Sequence, residues 1–358
     1  MEHGGDIYTE GILKGRKLID FSSNINPLGV PESFTANIGE GLAGLDVYPD
    51  IKYRESKQYI CNYINKSWAI NCKEEDLVLG NGAGENIDIA IRSLESITIV
   101  SPAFIEYEDR AQKNGSKIAY SMLNKDMEVD YKDLLEKVKA TQGLIIANPN
   151  NPNGGLIDRE KFKPILKHCQ KYNKKVIIDE AFIEFTGNKD DSLIDLVNSY
   201  SCICIIRALT KFYGIPGIRL GYSICKDKDY NGRMRDKQIP WNVNSFAQLA
   251  LKYVLEDEEY IRVTKKWLEE ERPAFIKEIG SLKMVDRVYP SKANFILVRL
   301  NKISGEKLYQ DLIKENILIR RCNNYNGLGD EYVRLAIKAR EDNEILIEKL
   351  ERYDILDI

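Results

Sequence analysis

Histidine is almost missing from this chain: His3 and His168 are the only two in 358 residues. A histidine-rich metal centre is thereby excluded, and a Ser-His-Asp hydrolase would have to be built on one of these two. The seven cysteines, at 61, 72, 169, 202, 204, 225 and 322, are odd in number and contain no Cys-x-x-Cys pair. Several fall in apolar, strand-like runs, which reads as reduced, buried thiols in a cytoplasmic protein and not as a disulfide framework. Cys202-Ile203-Cys204 lacks the second ligand pair that a metal site needs. No apolar run approaches the ~18 residues that cross a bilayer. The start, Met1-Glu2-His3-Gly4-Gly5-Asp6, shows neither the basic residues nor the apolar stretch of a secretory signal. Neither sign of charge prevails, since 52 Lys and Arg against 55 Asp and Glu leave −3. Nucleic acid and membrane are therefore not expected as partners.

The composition, 43% hydrophobic and 30% charged, is that of a globular protein. At ~150 residues per domain the length suggests about two domains. Short apolar runs at 76–79, 97–100, 117–120, 143–147, 175–178 and 201–206 alternate with helix-period segments at 85–94, 131–139 and 159–172. That rhythm predicts βαβ units and a mostly parallel sheet. After Pro240 the pattern changes to long helices over 244–280. Strands near 293–299, 318–320 and 332–337 follow, with helical stretches at 305–314 and 343–352. The fold class expected is α/β, a large domain over 46–243 and a smaller α+β domain over 244–358. The glycine-rich first 45 residues are expected to wrap across the smaller domain and the site.

Ligands of an open parallel sheet bind beyond the carboxyl ends of its strands, and five of these ends are distinctive. One runs into Gly80-Asn81-Gly82-Ala83-Gly84-Glu85 and opens a helix, a place where backbone N–H groups meet an anion; a plain turn reads equally well. The next ends Ser101-Pro102-Ala103-Phe104-Ile105-Glu106-Tyr107, where an aromatic can stack on a flat ligand or simply pack. A third ends Ala147-Asn148-Pro149-Asn150-Asn151-Pro152-Asn153-Gly154-Gly155, either an exposed turn or a rigid mount for Asn151. A fourth leaves Asp179 directly after Val176-Ile177-Ile178, and a buried carboxylate there requires a cation or a metal opposite it. The last leads to Thr210-Lys211, with Arg219 eight residues on and glycines at 214, 217 and 221. A desolvated lysine near another cation loses proton affinity and suits Schiff-base chemistry.

In this order the motifs resemble the fold-type I pyridoxal-phosphate enzymes of the class I/II aminotransferase superfamily. The chain is most similar to the threonine-phosphate decarboxylases of cobalamin synthesis, relatives of the histidinol-phosphate aminotransferases. That similarity rests on His3-Gly4-Gly5, on Asp20-Phe21-Ser22-Ser23-Asn24-Ile25-Asn26-Pro27-Leu28-Gly29 and on Leu209-Thr210-Lys211-Phe212-Tyr213. Pro240-Trp241-Asn242-Val243-Asn244 and Leu318-Ile319-Arg320 with Cys322-Asn323-Asn324-Tyr325 extend it. The resemblance implies pyridoxal 5'-phosphate as cofactor. Lys211 would form the internal aldimine and shuttle the Cα proton, and Asp179 would keep the ring nitrogen protonated. Asn151 would bond the ring hydroxyl, Phe104 would stack on the ring, and Ala83, Gly84, Thr210 and Arg219 would bind around its phosphate. Tyr48 would reach that phosphate from the partner subunit of a homodimer. Arg334 would grip the substrate carboxylate, while Arg320, His3 and Asn26 would surround the substrate phosphate.

Three departures stand out. Phe182 replaces a tyrosine common in the aminotransferases, Ala208 replaces a serine, and Gly84 lacks a polar side chain. Losing two neutral hydrogen bonds would weaken cofactor binding by ~1–3 kcal/mol. The activity implied is decarboxylation of O-phospho-L-threonine to (R)-1-aminopropan-2-ol phosphate. The alternatives are an aminotransferase acting on histidinol phosphate or an aromatic amino acid, and a non-catalytic binding module on the same fold. His168 and Arg321 are read as solvent-facing, and the charge run at 265–272 as a salt-bridged helix face.

Overall fold

The computed structural model describes residues 3–68 and 70–355. Its centre is a seven-stranded sheet of β1 (Leu77–Asn81), β2 (Ser96–Ser101), β3 (Lys117–Met122), β4 (Gly143–Ala147), β5 (Lys175–Asp179), β6 (Ile203–Ala208) and β7 (Leu220–Cys225). The spatial order is β1-β7-β6-β5-β4-β2-β3. Strands β4, β5 and β6 are apolar along almost their whole length and buried throughout, because helices cover both faces. Six strands run the same way, and β7 alone is antiparallel to both of its neighbours. β7 breaks the βαβ rhythm, so alternation alone does not reveal it. Helices Arg54–Trp68 and Glu106–Lys113 also lie outside the segments that periodicity picks out.

A second, four-stranded antiparallel sheet is ordered Arg320–Arg321, Tyr332–Ala336, Phe295–Leu300, Val285–Val288. The 23-residue helix Glu258–Gly280 packs on its last strand and on the closing helix Arg340–Ile355. The early segment joins this part of the molecule, since Ile19–Asp20 pairs in parallel with Ile317–Leu318.

All seven cysteines are buried free thiols. Among the described residues no helix is long and apolar enough to cross a membrane. Two surface readings need correction. The ring of His168 packs on Tyr172 at 4.6 Å, and its Nε2 is buried without a hydrogen-bond partner. Burial and the lysines at 174, 139 and 171 lower its pKa. Arg321 does not face solvent either: it pairs with Glu306 and lies over the Tyr309 ring at 4.5 Å. In the 265–272 run, Lys266 and Glu270 lie 3.9 Å apart, whereas Arg272 donates to the carbonyls of Phe185, Lys292 and Ala293.

Candidate active site

The carboxyl ends of β1, β2, β4, β5 and β6 open on a cavity of about 740 Å³, closed on its far side by the second sheet. Lys211 sits in the short helix Leu209–Phe212 immediately after β6 and lines the cavity. Burial, and then the positive charges of Arg334 and Arg219, pull its pKa down to about 8, with Asp20 opposing them. The lysine turn is fastened from behind. The Asn26 amide donates to Lys211 O at 3.1 Å, and the Asn26 side chain donates to Phe212 O and Thr264 Oγ1 at 2.7 and 2.8 Å. Asn26 is therefore turned away from the cavity it was expected to line, because its carboxamide is needed to hold this turn.

Asp179 ends β5. Its Oδ2 accepts from the Tyr107 hydroxyl at 2.6 Å and its Oδ1 from the Ala181 amide at 2.9 Å. Burial raises its pKa against these two bonds and the pull of Lys211. A carboxylate in that state gains from a cation placed in the cavity beside it. The Asn148–Gly155 loop is no exposed turn, since Asn148, Asn150, Asn151 and Asn153 are all buried. Asn150 Nδ2 donates to Pro102 O and Asn153 Oδ1, which fixes the loop from inside. Asn151 Oδ1 accepts from Arg334 at 2.7 Å and from Tyr325 at 3.2 Å, so the amide nitrogen remains as the donor toward the cavity.

At the other end the helix Ala83–Ile91 starts from Gly82, at φ +79°, with no side-chain cap. Its first amides, at Ala83 and Gly84, line the cavity beside Arg219 and Thr210. A side chain on Gly82 would come within 2.5 Å of Arg219 Nη2, so the glycine is what lets that guanidinium close over the helix start. Arg219 itself adopts the left-handed region at φ +57°, unusual for a residue with a Cβ. Phe104 lines the wall between these ends, edge-on to Tyr107 at 5.8 Å. Ala208 and Phe182 also line it, and the Phe182 ring packs against Phe295 at 5.0 Å.

On the opposite wall Arg320 and Arg334 are direct cross-strand partners and share one face. Both are almost fully buried, at 4% and 5% exposure. Arg320 donates to Arg321 O and Asn324 Oδ1, and Arg334 to Asn151 and Ser22 O. His3 reaches the rim, where its Nε2 lies 2.9 Å from Glu106 Oε1. Tyr48 lies outside this cavity, 79% exposed, with its ring 4.7 Å from Trp241.

Tyr107, Tyr325 and the Ser22–Asn24 stretch also line the cavity, and the sequence reading passed over them. Tyr107 had a usable signal, because it follows Phe104 by one helical turn. Tyr325 stands in a motif that carries the resemblance, but its contact with Asn151 spans 174 residues and has no local signal.

Taken together, one cavity holds an amine of lowered proton affinity, a buried carboxylate, an amide donor, an aromatic wall and a helix start beside an arginine. These groups fit a flat aldehyde with a basic ring nitrogen, a ring hydroxyl and a phosphate. The two departures at Ala208 and Gly84 leave that fit intact, because backbone amides and Arg219 remain on the phosphate side.

The family model described as aminotransferase class I and II matches residues 16–350. The threonine-phosphate decarboxylase of Salmonella typhimurium is 34% identical over 357 residues, covering 97% of this chain and 95% of that protein. A histidinol-phosphate aminotransferase of a Thermoanaerobacter species is 30% identical, covering 92% and 91%. A solved structure of the histidinol-phosphate aminotransferase from Clostridium acetobutylicum superposes with a TM-score of 0.91 at 46% identity, covering 94% of this chain and 99% of that one. The chain belongs to the aminotransferase class I and II family and is a pyridoxal-phosphate-dependent enzyme.

Proposed function

We propose that this enzyme decarboxylates O-phospho-L-threonine to (R)-1-aminopropan-2-ol phosphate. Lys211, Asp179, Asn151, Phe104, Thr210, Arg219 and the amides of Ala83 and Gly84 would hold pyridoxal phosphate, with Tyr48 of the partner subunit completing the phosphate site in a homodimer. Once bound, that cofactor supplies an electron sink, which makes labile whichever Cα bond stands perpendicular to its ring. The protein then has to hold the amino acid at one angle and move a proton at Cα. Lys211 is the base for the second task, since a pKa near 8 leaves its amine partly unprotonated at neutral pH.

One observation carries the choice of substrate: Arg320 and Arg334 are buried, in register, on one wall of the cavity. Two adjacent guanidiniums suit a small amino acid with two anionic ends, its α-carboxylate on Arg334 and its phosphate on Arg320. His3 stands at the phosphate end, at the rim. Histidinol phosphate itself has only one anionic group to offer, whereas the two carboxylates of 2-oxoglutarate would satisfy the same wall, so experiment decides between the readings. The relative of Salmonella typhimurium, similar over nearly its whole length, carries the decarboxylase name and supports this reading.

The second reading is an aminotransferase acting on histidinol phosphate or an aromatic amino acid. It draws on the Clostridium acetobutylicum enzyme, which is 46% identical and carries that name. Incubating the holoenzyme with O-phospho-L-threonine separates the two. Carbon dioxide release with the cofactor still in its aldehyde form is expected. Rapid amination of 2-oxoglutarate without carbon dioxide would sink the decarboxylase reading.

A further inference from the structure

Tyr325 lies in the turn after Arg320–Arg321 and is 3% exposed. Its hydroxyl donates to Asn151 Oδ1 at 3.2 Å and accepts from Arg334 Nη1 at 3.4 Å. The same Arg334 Nη1 donates to Asn151 Oδ1 at 2.7 Å, so the three groups close a triangle. The flat of the Tyr325 ring carries the Arg320 guanidinium, 5.1 Å from the ring centroid. The turn is also anchored to the large sheet. Ser101 Oγ donates to Asn326 O at 3.0 Å, and a side chain on Gly327, at φ +95°, would come within 2.4 Å of Met122 Cε. One phenol thus touches a group on the cofactor side and both guanidiniums on the substrate side, from a turn that grips both sheets.

We propose that Tyr325 is a positioning residue whose hydroxyl fixes the Arg334 guanidinium against the Asn151 carboxamide. It thereby sets the angle at which a bound α-amino acid presents its Cα bonds. This rests on the reading that Arg334 grips the α-carboxylate and Asn151 the ring hydroxyl. The other holds on Arg334 are one bond from Nη2 to Ser22 O and the Phe295 ring, 5.4 Å from its guanidinium, and its Nε is buried without a partner. Without the phenol, the guanidinium can swing about the Asn151 contact. A turn of the bound amino acid about its N–Cα bond, which a fixed guanidinium resists, exchanges the carboxylate for the proton in the perpendicular position. Phe182 has no hydroxyl to contribute near the ring, so beside Asn151 it is Tyr325 that supplies a polar contact to Arg334 on that side.

The test is Tyr325→Phe, which keeps the ring and its packing, measured in the holoenzyme by two readouts. The first is calorimetric binding of malonate, an unreactive dicarboxylate that probes the arginine wall. Its Kd is expected to rise about fivefold, the effect of losing the phenol's two long hydrogen bonds to Asn151 and Arg334. The second is the ratio of carbon dioxide release to deuterium uptake at Cα of O-phospho-L-threonine in heavy water, expected to fall about threefold or more. Unchanged malonate affinity overturns the proposal whatever the wild-type enzyme releases. Weaker malonate binding with an unaltered ratio overturns it too, because the residue would then serve affinity and not angle. A wild-type enzyme that takes up deuterium but never releases carbon dioxide sinks the decarboxylase reading instead, and the deuterium-uptake rate then replaces the ratio. Tyr325→Leu is the second variant: removing the ring beneath Arg320 should raise the KM for the phosphorylated substrate beyond that of Tyr325→Phe, and equal KM values in the two variants count against the hub.

Discussion

Lys211 gives up its proton near pH 8, some two units below an ordinary lysine. At pH 7 its free-amine fraction is therefore about 200-fold that of lysine in water. Incorporation of pyridoxal phosphate into apoprotein should accelerate with pH and level off above about 8, as stopped-flow absorbance will show. A profile still climbing at pH 10 would mean that the lysine is not desolvated. The stability consequence has a definite sign. Folding depresses this pKa, so the unfolded chain binds more protons and the penalty on folding is full below about 8, fading as pH rises toward the free-lysine value. Lys211→Met should then stabilise the apoprotein at pH 7 by about 1 kcal/mol or more, and by less at pH 10, in denaturant titrations. For Asp179→Asn, the cavity loses the carboxylate proposed to face the ring nitrogen, while the Tyr107 contact survives. The turnover number is expected to drop about 100-fold or more with little change in cofactor content. A fall below tenfold would place the counter-charge elsewhere.

At the scale of elements, the cavity end proposed for phosphate depends on two close approaches, of Arg219 over Gly82 and of β7 against the start of the helix Ala83–Ile91. Gly221 on β7 faces the helix start so closely that an added Cβ would stand 2.3 Å from the Ala83 nitrogen. Gly82→Ala pushes on the end of the Arg219 side chain and strains a left-handed turn, whereas Gly221→Ala pushes on backbone. The first should raise the Kd for pyridoxal phosphate about tenfold and lower apoprotein Tm through its strained backbone, and the second should lower Tm further through ~1–3 kcal/mol of overpacking against backbone, with less effect on Kd. Equal Tm losses in both variants would refute the distinction. Much of this end was legible beforehand, because glycines between a strand and a helix have a meaning that needs no tertiary contact. The β7 strand was not, since its single reversal leaves no period of its own in the sequence.

On the scale of the molecule, the site is a seam between two sheets, and the core beneath it is electrically closed. Arg207, with no exposed surface, bonds Glu180 Oε2 at 2.8 Å and reaches Glu184 at 3.4 Å, while its guanidinium stacks over Trp68 at 4.3 Å. This network sits directly behind Asp179. Arg207→Met leaves two buried carboxylates without a counter-charge and should cost about 3–5 kcal/mol, read as a lower denaturant midpoint. On the outside, Val47, Tyr48 and Ile239 are 66%, 79% and 73% exposed, and the Trp241 ring lies 4.7 Å from that of Tyr48. If Tyr48 serves the partner's site, mixing Lys211→Ala and Tyr48→Ala chains should restore activity, because each hybrid dimer then holds one site with both residues intact. Hybrids no more active than the separate variants would remove Tyr48 from the site.

The groups that sequence alone determined are those whose position follows from a strand ending: Lys211 after β6, Asp179 after β5, the Asn151 loop after β4 and the Gly82 turn after β1. In a mostly parallel sheet these ends must converge, so chain order implies proximity. What tertiary structure decided is orientation across long separations. It turned Asn26 behind the lysine, paired Arg321 with Glu306, aligned Arg320 and Arg334 on one wall and carried Tyr325 to Asn151. Each of those outcomes depends on register and packing between segments far apart in the chain, which no local pattern of residues encodes.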